Sequence, residues 1–280
     1  MSDAAASQAD ESFARLRLLV GEAGFRRLWS SRVVVFGVGG VGSWAAEALV
    51  RGGIGHLLLV DDDVVRASNI NRQLEALHST IGASKVEVLG ARLRDISPGA
   101  EIRCRRGRVT AANCGDFVGA VPAWDYVVDA IDDRPAKIAL LLECWQRGVP
   151  VMSSMGAANK LAAEAIQVAD LADSHGCPLA RLLRKNLRRA GVTHGIQVVF
   201  SPELPVRGPA GEPLGGEVEE PGSRRPLGTI SYLPALFGLR CAAEVIRNLL
   251  AGDPPGAIVR PDAGRGRRPR PASQSGHGFS

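Results

Sequence analysis

The sequence predicts an α/β protein, a doubly wound, mostly parallel Rossmann-like sheet with helices on both faces, extended by a C-terminal strand and helix region. Three observations carry this expectation. Short apolar runs of strand length alternate with segments of helical apolar period. The first such run leads directly into Gly37-Val38-Gly39-Gly40-Val41-Gly42, which opens the next helical segment. A chain of 280 residues, 45% hydrophobic and 22% charged, is long enough to bury one large core without disulfide staples.

The elements follow in order. Leu16, Leu19, Val20, Ala23 and Leu28 give residues 13–29 a helical period. Arg32 to Phe36 is a continuous apolar run, as expected of a strand buried on both faces. A helix over Val41 to Val50 and a strand over His56 to Val60 complete a βαβ unit. The alternation continues with a helix at Ala83 to Ile96, a strand at Glu101 to Arg105 and a short helix at Ala111 to Val118. A strand at Asp125 to Asp129, a helix at Pro135 to Gln146 and a strand at Val149 to Ser153 come next. Beyond Gly156 the pattern loosens into a polar strand at Ala165 to Ala169, a basic helix at Pro178 to Ala190 and a strand at Ile196 to Ser201. Ile230 to Leu250 is the longest apolar stretch, but Arg240, Glu244 and Arg247 interrupt it at helical spacing, so it reads as an amphipathic closing helix.

Composition bounds the rest. Met1 to Asp10 lacks a basic segment followed by an apolar run, so a cytoplasmic protein is expected. The five cysteines include no Cys-x-x-Cys pair, which argues against a disulfide framework and a structural zinc. The net charge of +5 permits a nucleic-acid partner. Residues 251–280, with five arginines against two aspartates among Gly, Pro and Ser, are expected to be a disordered basic tail. Residues 202–228 are Pro- and Gly-dense and read as a flexible loop; residues 1–12 read as a disordered N-terminus. One domain is therefore expected over 13–250.

The site reading begins at the glycine loop. Gly37, Gly39, Gly40 and Gly42 allow a tight turn and bring backbone N–H groups to a phosphate at the positive end of a helix. Asp61, at the end of the second strand, can accept hydrogen bonds from ribose hydroxyls, and these residues alone also suit a nicotinamide-dependent dehydrogenase. The run Asp61 to Gln73 then adds Asp63, Asn69 and Arg72, and Lys85 starts the next helix. A dinucleotide's pyrophosphate is already served by the loop, whereas a triphosphate needs further cations, so Arg72 and Lys85 favour ATP. Asp132, beyond the fourth strand, can hold Mg²⁺ against phosphates or cap the following helix; Asp133 is the better cap.

These residues carry a resemblance. Val-Phe-Gly-Val-Gly-Gly-Val-Gly-Ser-Trp-Ala-Ala-Glu-Ala-Leu (35–49), Asn-Ile-Asn-Arg-Gln (69–73), Gly-Ala-Ser-Lys-Val (82–86) and Asp-Ala-Ile-Asp (129–132) resemble the ubiquitin-activating-enzyme-like ATP-dependent adenylating enzymes. Within them, Ser-Ser-Met-Gly-Ala-Ala-Asn-Lys (153–160), the basic segment 178–188 and Leu-Gly-Thr-Ile-Ser-Tyr-Leu-Pro (227–234) resemble the branch of tRNA threonylcarbamoyladenosine dehydratases. The resemblance implies a carboxylate adenylated by ATP with Mg²⁺, then displacement of AMP by an atom of the same substituent's urea group, closing a ring with net loss of water.

Residue by residue, it assigns the glycine loop and Asn69 to the phosphates, Asp61 to the ribose, Arg72 and Lys85 to the triphosphate and Asp132 to magnesium. It matches Arg15 to an arginine that enters a partner subunit's ATP site, which implies a homodimer, with Arg17 a neighbouring alternative. It leaves open a monovalent cation and a cysteine-desulfurase or sulfur-acceptor partner. Cys177, just before a helix, is the cysteine best placed for a lowered thiol pKa. Arg181, Arg184, Lys185 and Arg188 share one helical face, expected to meet tRNA phosphates. The alternative is an activator that adenylates the C-terminus of a ubiquitin-like sulfur carrier; the absent Cys-x-x-Cys pairs and the arginine-rich helix weigh against it.

Overall fold

A computed structural model describes residues 11–119, 123–208 and 227–252. Residues 253–280 of the expected tail, most of the expected N-terminal segment and residues 209–226 of the expected loop lie outside the described residues, while Ala251, expected to open the tail, is the last residue of the closing helix.

The elements are α1 (Ala14–Ser30), β1 (Arg32–Phe36), α2 (Gly42–Arg51), β2 (His56–Asp61), α3 (Lys85–Ile96), β3 (Glu101–Arg106), α4 (Cys114–Val118), β4 (Tyr126–Asp129), α5 (Arg134–Arg147), β5 (Val151–Ser154), β6 (Gln167–Asp170), α6 (Pro178–Arg189), β7 (Gln197–Phe200) and α7 (Tyr232–Ala251). The strands form a seven-stranded sheet in the order β3-β2-β1-β4-β5-β7-β6. All neighbours are parallel except β6, which pairs antiparallel with β7 at the edge. The order reverses between β1 and β4, the place where a doubly wound sheet opens a crevice.

Strand β1 shows why both faces had to be covered. Val33 and Val35 point into one core with α2, α3 and α7; Val34 and Phe36 point into the other with α4, α5 and α6. A period-2 strand made of Val and Phe has no polar face, so helices must pack on each side. Phe36 is fully buried, and truncating such a side chain to Ala costs about 3–5 kcal/mol. The 230–250 run places Leu233, Phe237, Cys241 and Val245 in the first core. Among the described residues no helix is long and apolar enough to cross a membrane.

Two elements differ from expectation for local reasons. The 13–29 helix breaks at Gly21, whose φ of 71° and ψ of 169° are not helical. The short helix starts at Cys114 rather than Ala111, because Asn113 turns its carboxamide back to accept from the Thr110 N–H at 2.8 Å.

Candidate active site

The carboxyl ends of β1, β2, β4 and β5 open on a cleft of about 980 Å³. The glycine loop forms its floor. Gly37 has φ of 81°, and a Cβ there would lie 2.8 Å from the Ala130 carbonyl oxygen. At Gly42 a Cβ would lie 1.8 Å from the Gly37 oxygen, so only glycine lets the chain turn this tightly into α2. The result is a bare backbone cradle at the positive end of a ten-residue helix, which fits a phosphate chain.

Asp61 is tied to that loop. Its carboxylate accepts from the Val38 N–H and the Asp63 N–H, each at 2.8 Å. Burial pushes its pKa up, while the two N–H donors pull it back down. Lys85, 4% exposed at the start of α3, holds Asp63 at 2.8 Å. The Arg72 guanidinium donates to Ser68 O at 2.8 Å and Asn71 Oδ1 at 3.0 Å. Asn69 is buried and its Oδ1 accepts from the Arg66 N–H at 3.0 Å, holding the turn that carries Arg72. Gly37, Gly39, Gly40, Asp61, Asp63, Asn69, Arg72, Lys85 and Asp132 all line the same cleft; Gly42 turns the chain just behind it. The carboxylates of Asp61, Asp62 and Asp63 converge within 4.8 Å, but the first is bound by amides and the third by Lys85.

The turn after β4 divides its acids between two tasks. Asp133 caps α5, accepting from the Ala136 N–H at 3.0 Å, and Pro135 follows at the start of the helix. Asp132 is exposed at the cleft wall. Asp129 faces inward: its carboxylate lies 2.8 Å from Lys137 Nζ and accepts from Ser153 Oγ at 2.7 Å.

Arg15 is exposed and is not among the residues lining its own chain's cleft. Arg17 is committed within its own chain, to Glu22 at 2.6 Å and over the Phe25 ring at 4.0 Å. Leu18 and Leu19, beside them, are 87% and 78% exposed.

On α6, Arg181, Lys185 and Arg188 are exposed, whereas Ala180, Leu183 and Leu187 are buried. Arg184 departs from the expected basic face. Its guanidinium turns inward to Leu171 O at 3.2 Å and to Ser174 O and Oγ at 2.6 and 2.8 Å, because the 171–174 turn presents oxygens that need donors. Cys177 is buried and lines the cleft. Burial pushes the thiols of Cys104, Cys114, Cys144 and Cys241 up, as expected of packing residues.

The sequence pattern does not single out Lys137, Glu75 or Lys160. Lys137 had a signal: with Leu140, Leu141 and Cys144 it occupies the buried stripe of α5, where a lysine requires a partner. Glu75, 2% exposed behind the glycine loop, had none; Lys160, 4% exposed in the cleft, closes the 153–160 motif, which carried a resemblance but no role for the lysine.

A model of the ThiF family matches residues 13–274. The chain is 41% identical over 241 residues to the tRNA threonylcarbamoyladenosine dehydratase of Bacillus subtilis, covering 85% of this chain and 94% of that protein. It also matches the crystal structure of Escherichia coli tRNA N6-threonylcarbamoyladenosine dehydratase in complex with ATP, at a TM-score of 0.78 and 33% identity, over 89% of this chain and 96% of that one. The complex of the same E. coli enzyme with AMP gives a TM-score of 0.77, with the same identity and coverage.

Proposed function

The chain belongs to the ThiF family, and from that premise we propose that it catalyses the ATP-dependent dehydration of N6-threonylcarbamoyladenosine in tRNA, by adenylating the carboxylate of the substituent and closing a ring. The observation that carries this reading is the continuity of the cleft. One space joins the glycine loop and its ring of charged residues to a largely apolar end beside α6, so a nucleotide and a second substrate can meet in it.

In this reading ATP lies with its phosphates on the glycine loop and its ribose at Asp61. Lys85 and Arg72 receive the triphosphate; Lys85 has only to exchange the Asp63 carboxylate for phosphate oxygens. Asp132 would hold Mg²⁺ with the phosphates, and the ion would supply charge neutralisation there. The substrate carboxylate attacks the α-phosphorus and pyrophosphate leaves; an atom of the urea group then displaces AMP, with net loss of water from the substituent. Such chemistry needs positioning and charge stabilisation rather than a protein nucleophile.

We further propose a homodimer in which Arg15 completes the partner's site, since it is exposed next to Leu18 and Leu19 while Arg17 is held in its own chain. Arg181, Lys185 and Arg188 would follow tRNA phosphates outside the cleft, and the enzyme would act on tRNA in the cytoplasm. The experiment is mass spectrometry of nucleosides from tRNA bearing threonylcarbamoyladenosine after incubation with the protein and ATP. Loss of one water from that nucleoside, dependent on ATP, is expected. An unchanged nucleoside, with AMP transferred instead to a carrier-protein C-terminus, would overturn the reading.

A further inference from the structure

Beside α6 the cleft is lined by Met155, Leu179, Leu182 and Leu227, and Lys160, close to Cys177, lines it with them. It is held there by design of the backbone. Asn159 before it adopts a left-handed φ of 55°, uncommon for a residue with a side chain. Backbone hydrogen bonds fix that turn on both sides, from Asn159 N to Gly228 O at 2.8 Å and from Val206 N to Asn159 O at 2.7 Å.

Lys160 is 4% exposed. Its ammonium donates to the carbonyls of Ser201, at 3.1 Å, and of Glu203. Carbonyl oxygens satisfy N–H groups but do not neutralise a charge, and an ammonium has a third donor. The Glu203 carboxylate is engaged elsewhere, on the N–H groups of Leu161 at 2.9 Å and Ala162 at 3.0 Å. Burial accordingly pulls the Lys160 pKa down, with Cys177 and Glu203 the titratable groups opposing that shift. A buried cation whose direct partners are two carbonyls, and whose neighbouring carboxylate is shared with two backbone N–H groups, is costly, and an anion entering the cleft would relieve that cost.

We propose that Lys160 is a substrate-binding residue that receives the carboxylate of the nucleoside substituent at the apolar end of the cleft and so selects tRNA that carries it. The proposal rests on the dehydratase reading above and adds the group that recognises the acid. Beside these apolar neighbours the ammonium offers an anchor for an incoming carboxylate, and exclusion of water strengthens the pairing.

The test compares the full-length protein's affinity for one tRNA in two forms, with threonylcarbamoyladenosine or plain adenosine at the same position. It is repeated with Lys160→Gln, whose amide keeps two N–H donors for the two carbonyls and carries no charge. The wild type should prefer the acid form by about tenfold or more, and Lys160→Gln should lose the preference while its affinities for unmodified tRNA and ATP stay within about twofold. A Gln variant that keeps the preference, or a wild type without one, overturns the role of Lys160. The wild type measured against the methyl ester of the substituent needs no variant: the ester should bind like unmodified tRNA, and binding equal to the acid overturns the proposal. Cyclisation by the wild type, read by nucleoside mass spectrometry on the same samples, separates failure of this role from failure of the dehydratase reading.

Discussion

Lys137 Nζ lies 2.8 Å from the carboxylate of Asp129, and neither side chain is exposed. The same ammonium reaches Ile131 O at 3.1 Å, and the second Asp129 oxygen accepts from the Ile131 N–H at 3.1 Å. A pair inside the protein thus holds the turn that places Asp132 at the cleft wall. Removing one partner leaves the other charge buried and alone, so Lys137→Met or Asp129→Leu should destabilise by about 3–5 kcal/mol, and the double variant by much less. Urea unfolding of the three variants checks this; full additivity of the two single effects would refute the coupling.

Asp132 itself should tolerate change structurally, because Asp133 performs the helix cap. Asp132→Asn is expected to unfold like the wild type while losing adenylation by about 10² or more, the scale for removing a key electrostatic group. Pyrophosphate exchange into ATP, measured with substrate tRNA present, is the readout, and near wild-type exchange would remove Asp132 from the mechanism.

The shared site predicts complementation. Arg15→Ala and Lys85→Ala proteins, each inactive alone, should regain activity when their subunits are exchanged, because a mixed dimer has one site with both residues. Random exchange would restore about a quarter of the wild-type activity. A fully active monomer at assay concentration would exclude the arrangement.

The exposed cations of α6 set a salt dependence. Arg181→Ala with Arg188→Ala should weaken tRNA binding and make its dependence on salt shallower by about one unit of slope per lost phosphate contact, with ATP affinity unchanged. Arg184→Ala should instead lower stability, since it removes the donors of the 171–174 turn. Binding titrations at several salt concentrations distinguish the two, and an unchanged slope would move the RNA surface elsewhere.

Glu75 makes stability depend on pH. Burial pushes its carboxyl from 4.5 up to about 7, against Lys85 and a nearby Ser43 hydroxyl that favour the charged form. Between those values the folded protein holds a proton that the unfolded chain has released, so the contribution is full below the ordinary carboxyl range and falls as pH rises towards 7. Glu75→Gln should flatten this trend and exceed the wild type above neutrality by on the order of 1–3 kcal/mol. Urea unfolding near pH 5 and near pH 8 tests it; a stability difference that is the same at both would exclude the titration.

Much of this protein is written locally. Apolar runs of period 2 and stripes of helical period place the strands and helices, because burial acts on each segment's own pattern. The glycine loop is equally local: the tight turn from β1 into α2 admits only glycine at Gly37 and Gly42. Asp61, Arg72, Lys85 and Asp132 follow because the ends of parallel strands gather on one edge of a doubly wound sheet. The sequence therefore determined the fold class, the edge on which the site lies and the residue types that reach it. The partners of the charged side chains were decided only by packing between segments far apart in the chain. Asp129 meets Ser153 from β5, Lys160 meets the carbonyls of Ser201 and Glu203, and Arg184 turns to the 171–174 turn instead of joining its helical neighbours in solvent. Helical and strand periods specify which way a side chain leaves the backbone. Which oxygen waits there depends on how the layers dock, and for a buried charge that oxygen sets whether the group supports the fold or is left to bind a substrate.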